Sequence, residues 1–528
     1  MLDLVLVGGS VIDGLGGPAR SEDIGIVDGR IVALDHLATE PAIARIDARG
    51  LTTIPGIVDI HSHSDLTLIS DGSARSKVMQ GVTTEIVGNC GLGPFPLDPR
   101  SAAQARLAIS IIDLDEGVKF DWTDLEGYRR AVKESGPAIN LAALVGHVPL
   151  RIAAAPDAAG PLDNNQLGRL LTGLETALDS GAVGFSTGLM YPPAMSADRA
   201  ELIAIGEVVA AHDRLFAMHA RNYSTHLLAA VDEALDIARV TGCRLQFSHL
   251  AVAGRNNWGS VAVALERIDD ALADGIDVGV DIYPYLAGSA NLSQLLPEWS
   301  QIGGADEIVR RLGRTADRKR IIAEWPELMV HRWDEIVVSF VDGDLESVLG
   351  LTVQQIAERW SIPPSEAALN VIRDSHNRAM MVAYGRSEGD LMAVLRHPAA
   401  SVGSDGLSLN PDGPTGAGIP HPRSYGCYPR LIGRMVREGA ISLEKAVAMS
   451  TSIPAERVGL TGRGSIQVGS IADLAVIDAD TYLDEATYSD PARFAIGVSH
   501  VVVDGRRVVV DGVQDLSVRA GAFLDAEQ

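Results

Sequence analysis

The chain is organised around the stretch Ile54-Pro55-Gly56-Ile57-Val58-Asp59-Ile60-His61-Ser62-His63, an apolar run that ends in two histidines one residue apart. Side chains alternate between the two faces of a strand, so His61 and His63 point the same way. At the C-terminal end of a barrel strand, that direction leads to the catalytic mouth. Two imidazoles there could hold one metal ion. The alternative is a chance pair, or two hydrogen-bonding histidines at a strand end.

Seven further short apolar runs follow, separated by stretches that place leucine, isoleucine and alanine at helical spacing. Such alternation is typical of βα units around a parallel sheet. The predicted strands are 54–60, 84–88, 141–145, 183–186, 215–218, 245–248, 278–282 and 400–403. Eight such runs predict the α/β fold class and a closed (β/α)₈ TIM-like barrel, with an open doubly wound sheet as the alternative.

The sequences at both ends of the chain predict short strands joined by tight turns, such as the turn at Asp28-Gly29. Neither end has enough strands to bury a core alone. We therefore expect residues 1–53 and 458–528 to form one small β-sandwich domain, and residues 54–457 to form the metal-dependent barrel. Tryptophans and prolines interrupt the βα pattern at about 286–350, which predicts an insertion after the seventh strand. It is either a lid-like segment or a solvated decoration.

The net charge and the cysteine content limit the kinds of partner and compartment that the protein can have. The net charge of −25 opposes binding to phosphate backbones and anionic bilayers, so we predict a small-molecule substrate and no nucleic-acid or membrane partner. The oligomeric state stays open. Three scattered cysteines are too few for a disulfide framework, and the N-terminal residues have neither a basic segment nor a long apolar run. These features predict a cytoplasmic protein without a secretion signal or membrane span.

Side chains able to bind metal occur at the ends of several predicted strands. They are His61 and His63 after the first strand, Cys90 after the second, His147 after the third, His219 after the fifth, His249 after the sixth and Asp405 after the eighth. Barrel enzymes draw catalytic residues from several strand ends on one face. Alone, Cys90 could be a small buried hydrophobe, His147 a hydrogen-bonded core histidine and Asp405 a turn residue. Sulfur, imidazole and carboxylate together favour zinc over magnesium or calcium.

Eight motifs, spread over nearly the whole chain, resemble those of the N-acyl-D-amino-acid deacylases (D-aminoacylases) of the amidohydrolase superfamily. They are His61-Ser62-His63, Val87-Gly88-Asn89-Cys90-Gly91, His219-Ala220-Arg221-Asn222, Ser248-His249, Asn257-Trp258-Gly259, Asp281-Ile282-Tyr283-Pro284-Tyr285, Gly403-Ser404-Asp405-Gly406 and His421-Pro422-Arg423. This resemblance implies a (β/α)₈ barrel, a small β-sandwich built from both termini, and zinc at the barrel mouth.

The same resemblance implies a role for each ligand. Many related enzymes use a carboxylated lysine at the end of strand four, but that strand has no lysine here, and the cysteine is the ligand in the D-aminoacylase-like pattern. Cys90, His219 and His249 would hold the tighter zinc. A second site, weaker or partly occupied, would consist of His61, His63 and Asp405. Asp405 is also the expected general base, which takes a proton from the attacking water and returns it to the leaving amine.

Substrate contacts are harder to assign. Tyr283 and Ser289, on the loop after strand seven, are candidates for binding the substrate carboxylate or the oxyanion. The family commonly has a lysine near position 251, where this chain has Ala251. The remaining candidate contacts are Arg221, Arg255, Arg423 and His147. Because the segment between Tyr283 and Gln301 contains no arginine or lysine, we expect D-residues with neutral or apolar side chains to be favoured.

The resemblance implies that the protein hydrolyses the amide bond of N-acyl-D-amino acids and releases a free D-amino acid and a carboxylate. Two other functions are compatible with these residues. One is an amidohydrolase that acts on a cyclic or uncharged amide, as in hydantoinase-like ring opening, which would suit the missing lysine. The other is a catalytically silent binding protein on the same fold, because fold does not fix function. The presence of all six candidate ligands argues against a silent protein, and a zinc analysis would distinguish the two.

Overall fold

A computed structural model describes residues 1–115, 117–342 and 345–526 of the chain. Eight parallel strands lie side by side in one sheet, in chain order. They are Ile57–Asp59, Val82–Val87, Asn140–Gly146, Gly184–Gly188, Leu215–His219, Arg244–Phe247, Val278–Ile282 and Ala400–Val402, called barrel strands one to eight below. A parallel bridge between Ser62 and Gly406 joins the end of strand eight to the end of strand one. The predicted (β/α)₈ barrel is therefore confirmed.

The barrel strands are buried along almost their whole length, as expected for a parallel sheet covered by helices. The helix Asn164–Asp179 illustrates the covering layer. Its first turn carries a capping box, in which Asp163 and Gln166 satisfy each other's backbone amides. Leu170 and Leu174, one turn apart, are buried on the side that faces the barrel.

The other α-helices cover the barrel, connect its strands or belong to the inserted segment. They are Thr67–Ser70, Arg75–Val78, Ala102–Ala108, Leu125–Ser135, His147–Ala154, Arg199–Ala211, Leu227–Thr241, Ser260–Ala273, Glu298–Gln301, Gly304–Leu312, Thr315–Leu328, Val353–Trp360, Pro364–Asp374, Glu388–Arg396, Arg423–Tyr428, Leu443–Ser450 and Ser452–Arg457. A π-helix, Pro429–Met435, continues from Arg423–Tyr428. Among the described residues, no helix is both long enough and apolar enough to cross a bilayer.

The chain ends form two further sheets, the first from N-terminal strands alone and the second from strands of both ends. One has the strand order Arg30–Asp35, Asp23–Val27, Leu2–Val7, Ala42–Asp47; the other has the order Val513–Gln514, Arg506–Val510, Val498–Val503, Leu474–Ile477, Thr52–Pro55, Ser10–Val11, Arg20–Ser21. Ile24 and Ile26 share a core with Leu474 and Val476, so the two ends stabilise one another. The last described residues return to the barrel, where the Leu524 amide donates to the Leu141 carbonyl.

The inserted segment has its own sheet and its own core. Strand Met380–Tyr384 pairs with Ala287–Asn291 on one side and Ile336–Phe340 on the other. Helices pack their apolar side chains against this sheet, with Trp325 among the buried residues. The insertion therefore continues to Tyr384, well past the expected limit of residue 350. Its last strand, Met380–Tyr384, pairs with strands that are distant in the sequence, and composition alone does not predict such pairing.

Candidate metal centre

The six predicted ligands meet at the C-terminal mouth of the barrel. Their ligand atoms form two groups that share the cysteine, and the atoms in each group lie within 4.8 Å of one another. The first group is His61, His63, Cys90 and Asp405; the second is Cys90, His219 and His249. All six side chains are buried or nearly so. Residues that are far apart in the sequence thus form one compact cluster of sulfur, nitrogen and oxygen donors.

Cys90 is central to this cluster. Its Sγ lies 3.3 Å from His61 Nε2, 3.4 Å from His219 Nδ1 and 3.6 Å from His249 Nε2. With typical Zn–S and Zn–N bond lengths, two ligands of one tetrahedral zinc ion are separated by roughly 3.5 Å. The three sulfur–nitrogen distances match that separation. The donor set and its spacing therefore fit zinc.

The electrostatics of the cluster favour the charged forms that bind metal. Burial opposes ionisation of Cys90, but His61 and His219 outweigh it and hold the pKa of the thiol well below its ordinary value. Burial also opposes ionisation of Asp405. There, Arg423 and His63 outweigh burial and hold the carboxyl pKa well below its usual range. Both residues are thus set up as anions, and a thiolate and a carboxylate are the metal-binding forms.

Three of the ligands lie on unusual backbone. Cys90, His249 and Asp405 have φ angles of +54°, +36° and +50°, in the left-handed region that non-glycine residues rarely adopt. Such conformations cost on the order of 1–3 kcal/mol each and persist where the surrounding structure holds them. They lie at the ends of barrel strands two, six and eight, and their side chains converge on one cluster.

Barrel strand four supplies no ligand but positions Cys90. Ser186 accepts a hydrogen bond from the Gly91 amide at 2.9 Å, and its hydroxyl donates to the Gly88 carbonyl. A Cβ atom at Gly188 would lie 2.1 Å from the Cys90 carbonyl oxygen, so a glycine is required there. The strand end that lacks a lysine therefore provides the space in which the cysteine turn sits.

Asp281, on barrel strand seven, supports two ligands without joining the cluster. Its Oδ1 lies 3.0 Å from His61 Nδ1 and accepts the His249 backbone amide at 2.8 Å. Gln246 donates to the other oxygen at 3.0 Å. Such a carboxylate fixes the imidazole tautomer and orientation, which leaves His61 Nε2 facing the centre.

A buried ion cluster supports the strand-eight ligand from below. Lys77 Nζ lies 2.8 Å from both Asp59 and Glu85 and donates to Ser404 Oγ at 2.7 Å. The Ser404 amide donates to Asp59 at 2.8 Å. Because Ser404 immediately precedes Asp405, this network fixes the backbone that carries the general-base candidate.

A cavity of about 440 Å³ opens above the cluster. Among the predicted contacts, Tyr283, Ser289, Arg221 and Arg423 line it, whereas His147, Arg255 and Ala251 do not. Both ring nitrogens of His147 are engaged, by Thr187 and by Glu201. The Arg255 side chain is 59% exposed and pairs with Glu335. The structure therefore places His147 and Arg255 outside the cavity lining, each in contact with other residues of the protein.

A model of the Amidohydrolase family matches residues 44–316 and 372–509. The chain belongs to the amidohydrolase family. N-acyl-D-glutamate deacylase and D-aminoacylase, both from Alcaligenes xylosoxydans xylosoxydans, are 38% and 34% identical to it; each alignment covers 96% of this chain and 93% or 94% of the relative. The predicted membership in the N-acyl-D-amino-acid deacylase group is therefore confirmed.

A solved structure agrees with this assignment. N-acyl-D-glutamate deacylase from Bordetella bronchiseptica, complexed with zinc and a phosphonate that mimics the tetrahedral intermediate, superimposes with a TM-score of 0.84 at 34% identity. The match covers 99% of this chain and 100% of the other. This amidohydrolase is therefore a hydrolase of C–N amide bonds, and a close structural relative carries zinc.

The site of this amidohydrolase also contains residues that the sequence did not single out. Tyr191 and Tyr223 line the cavity, and each ring centroid lies 5.0 Å from that of His219. Arg386 lines the same cavity from the inserted segment. Asp281 and Tyr223 belong to, or directly follow, motifs that were quoted above, so they were within reach of sequence reasoning. Arg386 follows a strand of the insertion and had no such signal.

Proposed function

We propose that this chain is a zinc-dependent deacylase that hydrolyses the amide bond of N-acyl-D-amino acids to a D-amino acid and a carboxylate. The single observation that carries the proposal is the cysteine-centred cluster, in which Cys90 contacts three histidines at the C-terminal mouth of the barrel. The relatives named for acting on N-acyl-D-glutamate and other D-amino-acid derivatives support the substrate class.

We assign the tighter zinc to Cys90, His219 and His249, and a weaker second position to His61, His63 and Asp405. The shared sulfur and the two overlapping ligand groups support this division. When bound, zinc lowers the pKa of water toward neutrality and polarises a carbonyl group, which makes amide hydrolysis feasible at neutral pH.

Asp405 moves the proton. Its carboxylate is ionised, and it lies 3.0 Å from His63 and 2.8 Å from Arg423, at the edge of the cavity where an amide would bind. It accepts a proton from the attacking water and then donates it to the departing amine nitrogen. Tyr283 and Ser289 face the same space and are positioned to hydrogen-bond the substrate.

The cavity wall favours a neutral or apolar side chain on the D-residue. Most of its surface away from the ligands comes from aliphatic, sulfur-containing and aromatic side chains. They are Leu92, Ile111, Ile112, Leu114, Leu189, Met190, Met195, Leu295, Leu296, Leu328, Met329, Val330, Phe340, Met380 and Met381. Methionine adapts to differently shaped apolar groups, so such a wall suits a range of neutral side chains.

A panel of N-acetyl amino acids of both hands, assayed for released amine with metal-free and zinc-loaded enzyme, tests the function. We expect turnover of the D-series by the zinc-loaded enzyme only. Turnover of the L-series alone would contradict the proposal. Cleavage of cyclic or uncharged amides, with every N-acyl-D-amino acid inert, would replace it with the alternative amidohydrolase function.

A further inference from the structure

Residues 189–197, called the strand-four segment below, form one wall of the cavity and connect barrel strand four to the helix Arg199–Ala211. Its side chains that line the cavity are Leu189, Met190, Tyr191 and Met195. The Tyr191 ring packs against the ligand candidate His219, with centroids 5.0 Å apart. Regular structure in this segment is limited to the short 3₁₀ turn Ala194–Ser196, so its shape depends on contacts from outside.

Arg151 holds the strand-four segment from behind. It lies on the helix His147–Ala154, after barrel strand three, and is fully buried. Its guanidinium group donates to the Pro193 carbonyl within the segment and to the Gly160 carbonyl, and it pairs with Glu201 at 3.1 Å. A guanidinium group presents its donors in a rigid fork. One side chain therefore joins the segment to two other parts of the chain.

Glu201 and His147 complete this buried network. Glu201 lies in the first turn of the helix that follows the segment, where its backbone amide donates to the Asp198 carboxylate at 2.9 Å. The Glu201 carboxylate lies 2.9 Å from His147 Nε2, and His147 Nδ1 lies 2.8 Å from the hydroxyl of Thr187 on barrel strand four. The network thus contacts the chain just before and just after the segment, and the charges of Arg151 and Glu201 offset each other.

Arg221 holds the same segment nearer its far end. It follows barrel strand five and donates to the Met195 carbonyl at 2.8 Å and to the Ala197 carbonyl at 3.0 Å. Its charge is offset by Glu233 at 3.0 Å. All three nitrogens of its guanidinium group donate to the protein, although the residue also lines the cavity. Arg221 and His147, both predicted as substrate contacts, are thus bonded to the wall and to the chain beside it.

We infer that Arg151, with its partners Glu201 and His147, is a positioning residue that holds the strand-four segment in the shape that binds substrate. Arg221 has the same role nearer the far end of the segment. The inference rests on the proposed function, because it names residues that act on its substrate through the cavity wall. Arg151, Glu201 and His147 do not line the cavity, so the segment is their route to the substrate. A wall fixed in advance spares the substrate the cost of ordering it.

The test removes the network without leaving a buried charge unpaired, by combining Arg151→Met with Glu201→Gln, so the fold should persist. KM for N-acetyl-D-methionine should rise about 10-fold, the scale of ordering one or two side chains. The metal ligands and Asp405 are intact, so kcat should change by less than about 3-fold, and zinc content should equal that of wild type.

Two single variants accompany the double variant. Arg151→Lys keeps the charge but not the fork, so it should raise KM by less, and it provides the test if the double variant does not fold. Arg169→Met is the matched control. Arg169 is an exposed arginine that donates to the Ala154 carbonyl of the same helix, and its replacement should leave KM, kcat and zinc content unchanged.

Hydrogen–deuterium exchange gives a readout without turnover. The Tyr191 and Met195 amides donate to the Gly188 and Tyr191 carbonyls. They should exchange faster in the double variant than in wild type, because local opening of the segment becomes easier, whereas barrel strand eight should not change.

Equal exchange of the segment in the double variant and wild type would overturn the inference, and so would faster exchange with an unchanged KM. Loss of zinc together with kcat would also overturn it, because the network would then support the metal ligands. If wild type cleaves no N-acyl-D-amino acid, the proposed function fails. The exchange result, with KM for the amide that wild type does cleave, then decides the inference separately.

Discussion

At the scale of single residues, Cys90 is the ligand on which the proposed metal centre depends most. Its sulfur is the one donor common to both ligand groups. Cys90→Ala should therefore remove the tight zinc and the activity together, since it leaves that site with two protein ligands. Zinc content after gel filtration and kcat measure the two effects.

Cys243→Ala is a matched control for that change. Cys243 is also a buried free cysteine, but burial raises the pKa of its thiol, as expected for an apolar packing residue. This variant should keep its zinc and its turnover. A Cys90→Ala enzyme that retained one zinc and near-normal kcat would mean that Cys90 is only a packing residue.

Substitution of Asp405 distinguishes the loss of proton transfer from the loss of metal binding. Asp405→Asn preserves the shape of the side chain and leaves Cys90, His219 and His249 intact, so the tighter zinc should remain. Turnover should fall by about 10² to 10⁴, the usual effect of losing a positioned acid–base group. Zinc analysis and kcat on the same preparation check both parts. Parental turnover in the asparagine variant would assign proton transfer to another group.

At the scale of elements, each barrel strand end contributes a different part of the site, and strand seven contributes support. Asp281→Asn should weaken zinc binding about 10- to 100-fold, the usual cost of losing a carboxylate behind a metal-binding histidine. Competition with a chelator of known affinity measures this. Asp269→Asn, which removes an exposed carboxylate paired with His397, should leave zinc affinity unchanged. Equal zinc affinities in Asp281→Asn and wild type would show that His61 is oriented by its other contacts.

Strands one, two and eight are joined through the Lys77 cluster. Burial alone would lower the pKa of Lys77, but Asp59 and Glu85 raise it, so the lysine stays charged. Lys77→Met leaves two carboxylates buried without their cation and should lower the free energy of unfolding by about 3–5 kcal/mol. Lys319→Met, at an exposed position, should change it by less than about 0.5 kcal/mol. Urea unfolding measures the free energy of unfolding of both variants. Equal losses in the two would mean that Lys77 does not stabilise the buried carboxylates.

The elements also show what the sequence could reveal. Residues such as His61 and Asp405 directly follow apolar runs, so the pattern alone predicted that they lie at strand ends and meet in one cluster. Asp281 could not be assigned, because a single carboxylate at a strand end does not reveal which histidine it will hold. Arg386 was missed for a related reason: it reaches the cavity only because strand Met380–Tyr384 pairs with Ala287–Asn291. Long-range pairing of this kind leaves no periodic signal in the sequence.

At the scale of the whole molecule, the cavity is a joint product of the barrel and the insertion. The barrel provides the ligands, while Met329, Phe340 and Met380 of the insertion form part of the opposite wall. The segment predicted as lid-like or decorative thus lines the cavity. Specificity among D-amino-acid side chains should therefore follow the insertion more closely than the barrel.

We accordingly predict that N-acetyl-D-methionine and N-acetyl-D-leucine are better substrates than N-acetyl-D-glutamate, by about 10² or more in kcat/KM. An acidic side chain that lay against the apolar part of the wall would have no cation beside it, and an unpaired buried carboxylate costs several kcal/mol. The 38% identity to an N-acyl-D-glutamate deacylase does not oppose this, because identity over 507 residues mainly reports the shared fold, whereas side-chain choice depends on a few cavity residues. N-acetyl-D-glutamine, neutral and of the same shape as the glutamate derivative, isolates the effect of charge and should rank with the neutral substrates. If N-acetyl-D-glutamate exceeded N-acetyl-D-glutamine, one of the arginines that line the cavity would have to bind the side-chain carboxylate.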